Sequence, residues 1–326
     1  MRPQTIFLSL LFSALLLVGC NNAKNTVGPT NSGKWTQVNG LATFNNITTI
    51  SGELFAAGSG GVFRSTDNGA NWTQAASISP IGALSVAAVD GAILAGQGSG
   101  GVLFSTNKGS SWTHRDSGLA TNSVGVYQTV NCFALNSSSI FAGTETGGVL
   151  RSTDNGTSWT PTNNGIYSSS NIFTLAINGF HIFAGTVYGA YLSTDDGENW
   201  VIVNSGLVPN ISNPSQFPLV VSLATKGTDI FAGTGGAQIF LSTNYGTSWN
   251  NITGKLPSYP ESWIYLAASD SSIFVGYDAG VFASTNNGSS WTNITDNLPN
   301  AVVGRIAVVG KNLYVSEAST VWRLSL

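Results

Sequence analysis

Apolar residues along this chain do not recur at helical spacing. They come in short runs of four to six, closed by Gly, Asn, Asp or Ser, the pattern of β-strands separated by turns. The stretch around residues 132–160 shows the unit. Cys132-Phe133-Ala134-Leu135 is followed by Ile140-Phe141-Ala142-Gly143, then Val149-Leu150-Arg151-Ser152, then a fourth strand opening at Trp159.

The turn between the third and fourth strands recurs six times as Ser-Thr-Asp/Asn-x-Gly-x-x-Trp. Its Asp or Asn is Asp67, Asn107, Asp154, Asp195, Asn244 or Asn286, and its Trp is Trp72, Trp112, Trp159, Trp200, Trp249 or Trp291. Successive Trp are 40, 47, 41, 49 and 42 residues apart. A period in the forties with four short strands per unit is that of propeller blades, not of helical repeats. The turn resembles the Asp box of the sialidase-like, or BNR, repeat families. Its residues suit a folding device: the short polar side chain accepts backbone N–H bonds, Gly takes a positive φ, and Trp folds back over the blade. One buried Trp removes about 150–250 Å² from water, an upper-bound contribution of roughly 4–6 kcal/mol. Asn107, Asn244 and Asn286 lack the charge a calcium site wants, so no metal and no cofactor is expected.

The ends of the repeat set the blade count. After Trp291 one further unit runs Arg305-Ile306-Ala307-Val308-Val309, Asn312-Leu313-Tyr314-Val315 and Thr320-Val321-Trp322-Arg323, and stops after three strands. Residues 34–41 open like Trp159-Thr160 and read as the missing fourth strand. The expectation is an all-β, seven-bladed β-propeller of four-stranded antiparallel blades over residues 34–326. Its last blade closes by a one-plus-three arrangement of 34–41 with 303–326, which removes an open sheet edge.

Ahead of this body lie Arg2, an apolar run from Ile6 to Val18, and Leu17-Val18-Gly19-Cys20. The run is too short to span a bilayer and has the length of a signal-peptide core. Leu17 to Cys20 resembles the lipobox of bacterial lipoprotein precursors. That resemblance implies removal of residues 1–19, acylation of Cys20, and an exported protein anchored by lipid at a periplasmic or outer-membrane surface. Residues 20–33 carry almost no large apolar side chain and read as a tether. Cys132 then has no disulfide partner and reads as a small buried hydrophobe.

Charged residues make up 8% of the chain and the formal net charge is −3. No basic stripe for nucleic acid exists. His114 and His181 fall in different units without acidic or Cys spacing, so no zinc site is indicated. The chain is expected to be a monomer that meets the membrane only through its anchor.

In antiparallel blades the repeat turns share one face with the turns joining strands one and two. The opposite face gathers the two-to-three hairpins and the links between blades, and those links vary in length. Binding residues concentrate on such loops. The long links, 116–128, 163–171, 205–218 and 253–262, bring Tyr127, Tyr167, Phe217, Tyr259 and the adjoining Trp263. The hairpins add Gln97, Glu145, Tyr188, Tyr277, Asp278 and Glu317 as a candidate binding face. Rings beside amides and carboxylates suit a glycan or a protein partner.

Sialidases use an arginine triad, and here Arg64, Arg151 and Arg323 share one strand-three slot, leaving Arg115 and Arg305. No Phe/Tyr-Arg-Ile-Pro sequence precedes the first blade, so no catalytic residue is assigned. Glycosidases that need only two carboxylates keep Glu145, Asp278 and Glu317 as an alternative. The chain is also similar, through its repeat residues, to photosystem II assembly factors, which implies an assembly role as a further alternative. Their arginine-rich patch has no counterpart in this Arg-poor chain. The leading expectation is a non-catalytic envelope protein that binds a protein or glycan through the variable-loop face.

Overall fold

The computed structural model describes residues 34–76, 82–167, 170–208, 218–259 and 261–326. Cys20, the apolar leader, the tether and Phe217 lie outside them. The described residues of the body form seven four-stranded antiparallel sheets, the blades of a propeller. Blade three runs Val130–Leu135, Ile140–Thr144, Val149–Ser152 and Thr160–Pro161, within two residues of the boundaries read from the apolar runs. The first strands of the blades touch in cyclic order, and the last, Arg305–Val309, touches the first, Asn46–Ile50. The core lies between blades: Leu94 and Val102 of blade two pack with Val130, Ile140 and Trp159 of blade three in one buried cluster.

The ring closes as expected, through a shorter pairing. Only Thr36–Gln37 is strand, opposite Arg323 and Trp322 in blade seven. The buried Trp35 donates its indole N–H to the carbonyl of Ile294 in blade six at 2.7 Å. Asn39 bridges to Asn71 of blade one instead. Thr36 lies toward the end of the strand Thr320–Ser325, so the chain enters the propeller on the repeat-turn face.

Each repeat turn is a closed hydrogen-bond unit. In the first, Ser65 Oγ accepts from the Gly69 N–H at 2.9 Å and donates to Asp67 Oδ1 at 2.8 Å. Asp67 Oδ1 accepts the Asn71 N–H, and Oδ2 accepts the Asn71 side-chain amide. Where the turn has Asn, the fourth residue on is Ser: Asn107, Asn244 and Asn286 donate Nδ2–H to Ser111, Ser248 and Ser290. Asp and Asn are exchangeable here because the partner supplies the complementary donor or acceptor.

The Trp of four turns bonds beyond its own blade, whereas the indoles of Trp72 and Trp112 donate to Gly69 and Gly109 of their own turns. The indole N–H groups of Trp159, Trp200, Trp249 and Trp291 donate to Arg115, Thr162, Val203 and Ile252 carbonyls of the preceding blade at 2.7–3.0 Å. A second motif meets the first three of them there, a Gly followed by Leu or Ile just after the fourth strand, at Gly118, Gly165 and Gly206. At Gly118 and Gly165, φ is +89° and +94°, and an added Cβ would lie 1.8–1.9 Å from the carbonyl oxygen of Trp159 or Trp200. Only Gly fits that approach.

The variable residue of the repeat turn, in positive φ each time, latches onto the preceding blade's first turn. Lys108 pairs with Glu53 at 2.9 Å, Asn155 with Asp90, and Asp196 with Asn136 and Ser139. Asn287 bonds Asp229, and Tyr245 stacks on His181 with centroids 4.1 Å apart. At the closure, Tyr314 and Arg323 donate to the Asn68 carbonyl. Hydrogen bonds from Arg64 and then Lys108 hold the Glu53 carboxyl down at about 2.

Two outcomes follow from this frame. Trp35→Ala removes a buried ring and the blade-six bond together, so it should cost about 3–5 kcal/mol in equilibrium urea unfolding; a loss under about 1 kcal/mol would contradict the closure. Bonds from Asn71 bring Asp67 to about 2. At Asp154 the opposing effect of burial is outweighed by Ser158, giving about 2, and Asn199 lowers Asp195. The stability these depressed carboxyls contribute is complete above the ordinary carboxylate range and is lost as pH falls from about 4 toward 2. The triple variant D67N/D154N/D195N should therefore lose less Tm than the parent between pH 5 and pH 2.5, and parallel curves would contradict the assignment.

Candidate functional site

The two faces differ in chemistry. Charged side chains crowd the repeat-turn face, where Glu53, Arg64 and Lys108 form one network and Arg151 pairs with Asp196. Apolar exposure gathers on the other. Of thirteen large apolar side chains exposed among the described residues, nine lie on links or two-to-three hairpins, including Val124, Tyr167, Val208, Tyr259, Trp263 and Val302. Monomeric surfaces rarely concentrate such groups without a use for them.

The residues expected on this face divide. Glu145 is exposed and accepts from Thr129 Oγ1 at 2.9 Å. Tyr188 and Asp278 are half-buried. Gln97, Tyr277 and Glu317 are buried and do not line the surface. All three stand at the last residue of a second strand. In blades three to five that place is Thr144, Thr186 or Thr234, whose hydroxyl bonds a carbonyl across the hairpin. The position points into the blade, so a larger side chain there is enclosed. Gln97 Oε1 accepts from Ser99, and Tyr277 Oη donates to the Pro257 carbonyl at 2.9 Å.

Glu317 has no such partner. Both carboxylate oxygens are buried without a hydrogen bond of ordinary geometry. Burial raises its pKa, partly offset by the nearby Asn300 N–H and Trp322 indole. The three carboxylates considered for glycoside hydrolysis thus sit in blades three, six and seven, and one of them is sealed.

Other residues, not singled out by the sequence, complete the face. Phe173 meets Trp263 edge to face, with centroids 5.6 Å apart. Arg305 lies 4.4 Å over the Tyr265 ring. Tyr191 packs beneath Tyr167, at 6.5 Å. Tyr265 and Arg305 open first strands and Phe173 is the second residue of another, and a linear pattern does not say which of these residues meet around the ring. Two clefts lie elsewhere: one of about 450 Å³ along the fourth strand of blade three beside Arg151 and Glu198, another of about 280 Å³ between the turns of blades two and three. The first runs along the outer edge from the repeat turn to Asn163 and Asn164 at the start of the following link, the second lies on the repeat-turn side, and neither is lined by a candidate binding residue.

Comparison with known proteins agrees on the architecture. A family model described as the DUF6242 beta propeller domain matches residues 14–124. No curated protein sequence matches. Among solved structures, the chain is similar to YCF48 bound to D1 peptide, with TM-score 0.69 and 15% identity over 91% of this chain and 96% of that one. It is also similar to the GH74 xyloglucanase from Xanthomonas campestris, with TM-score 0.67 and 15% identity over 89% of this chain and 53% of that one. The extracellular domain of BT4673 from B. thetaiotaomicron gives TM-score 0.67 and 14% identity, over 89% of this chain and 39% of that one. The chain thus spans about two fifths to half of the length of these last two. At such identities the likeness is one of fold.

Glu317 generates a pH test. A carboxyl whose folded pKa is raised carries no penalty while it is protonated in both states, and destabilises increasingly as pH rises past its ordinary value of about 4.3. Glu317→Gln should therefore raise Tm at pH 8, with the gain vanishing by pH 4. An equal gain at both pH values would show that the charge is not the cause.

Proposed function

We propose that this chain is a non-catalytic cell-envelope lipoprotein, an Asp-box propeller that binds a protein or glycan through its variable-loop face. The observation that carries the reading is the gathering of exposed apolar and aromatic side chains on that face, while the repeat turns use their polar atoms on themselves and on neighbouring blades. Rigid aromatic anchors on variable loops are what a recognition surface requires.

The anchor rests on Leu17-Val18-Gly19-Cys20. Propellers of the same fold support both partner classes: YCF48 is bound to a peptide, and another similar chain is a xyloglucanase. A binding role fits this chain better than hydrolysis because Glu317, one of its three candidate carboxylates, is enclosed.

The test is capture from envelope extracts by the immobilised full-length chain. Tyr167→Ser and Trp263→Ser should lose the captured component, whereas Phe180→Ser, on the opposite face, should retain it. Equal capture by all three would contradict the assignment of the face.

A further inference from the structure

Three of the exposed rings on the variable-loop face are held in place by other rings. Tyr167, on the link into blade four, meets Tyr188 edge to face with centroids 5.0 Å apart. Tyr259, on the link into blade six, meets the buried Tyr277 at 6.2 Å and 83°. Trp263, where that link ends, meets Phe173. Each contact sets the ring's orientation before any ligand arrives, which lowers the entropy lost on binding. Yet Tyr167, Tyr259 and Trp263 remain 54%, 45% and 37% exposed. The Phe173–Trp263 contact reaches from blade four to the entry of blade six, past blade five, so the three rings belong to one sector of the face.

The polar groups of that sector are mostly uncharged, with Arg305 at its edge over Tyr265. Its described links and hairpin ends, residues 163–167, 170–171, 186–189, 203–208, 234–238, 252–259, 261–263 and 277–280, hold three charged side chains, Lys255, Glu261 and Asp278, among many Asn and Ser. One buried polar atom of the sector, Gln238 Oε1 in the blade-five hairpin, has no hydrogen bond among the described residues, and the buried Tyr191 hydroxyl beneath Tyr167 is met only by the Tyr167 backbone. Such atoms are costly unless a bonding partner comes within reach.

On the binding role proposed above, the geometry points to an uncharged glycan as the ligand, stacked across the sector of blades four to six on Tyr167, Tyr259 and Trp263. The C–H face of a pyranose covers an aromatic ring. Its hydroxyls donate and accept equally, so they match amide and hydroxyl groups without needing opposite charge. A protein interface would bring a charged rim, and this sector offers little to meet one.

The experiment titrates the full-length chain, in a detergent free of sugar groups, with neutral oligosaccharides of glucose, mannose and galactose and with an acidic uronic series. Binding is read by tryptophan fluorescence and calorimetry. Saturable binding of a neutral series is expected, unchanged by 0.5 M salt, weakened about tenfold or more by Trp263→Ala, and unaffected by Phe180→Ala. Tyr259→Ala, on a link, is the second variant should Trp263→Ala fold poorly. Binding confined to the acidic series, or to none, overturns the inference. If no glycan binds but a protein is captured and lost with Tyr167→Ser, the sugar assignment fails while the binding face stands; if neither is seen, both fail.

Discussion

Every blade depends on an indole ring that serves two blades at once. The Trp after each repeat turn caps its own strands, and in most blades its N–H reaches a carbonyl of the preceding one. At Trp72, Trp159, Trp200 and Trp249 a Gly-Leu or Gly-Ile link lies so close against the Trp backbone that no side chain fits between. Because a four-stranded sheet has no core of its own, this contact and the apolar cluster beside it convert a row of sheets into a ring. Trp35, arriving from the other end of the chain, occupies the same place at the seam. Closure therefore uses the ordinary inter-blade contact, with a two-residue pairing in support.

This dependence explains why so much of the fold was legible in the sequence. A device used seven times leaves a period, and short apolar runs such as Ile140–Thr144 fall where alternation and Gly place them. The latches between blades were not legible, because the variable residue of the turn changes chemistry each time: Lys108 finds Glu53, whereas Tyr245 finds His181. Residue type alone also misplaced part of the candidate site. Tyr277 and Glu317 have binding chemistry, but they stand where neighbouring blades carry a buried Thr, and orientation follows position in the blade. Phe173 was missed for the converse reason, since its partner lies 90 residues away across the ring.

The two faces reflect a division of labour in physical terms. On the repeat-turn face, carboxylates and amides are tied to neighbouring blades, and hydrogen bonds hold Glu53 and Asp67 well below the usual carboxylate range. Groups so engaged are poorly placed to take part in anything else. On the variable-loop face the rings are oriented but uncovered, and buried polar atoms such as those of the Gln128 and Gln238 side chains have no hydrogen bond among the described residues. Glu317 is the costly case, a carboxyl enclosed without an ion-pair partner among the described residues, its pKa raised by burial.

The central claim, that one face is structural and the other binds, is tested most directly by photocrosslinking in cells. A benzophenone amino acid is placed singly at positions 208, 259 and 263 on the variable-loop face and at 180, 228 and 311 on the repeat-turn face. Discrete adducts from the first three positions and none from the second three are the predicted result. Adducts confined to positions 180, 228 and 311 would contradict it.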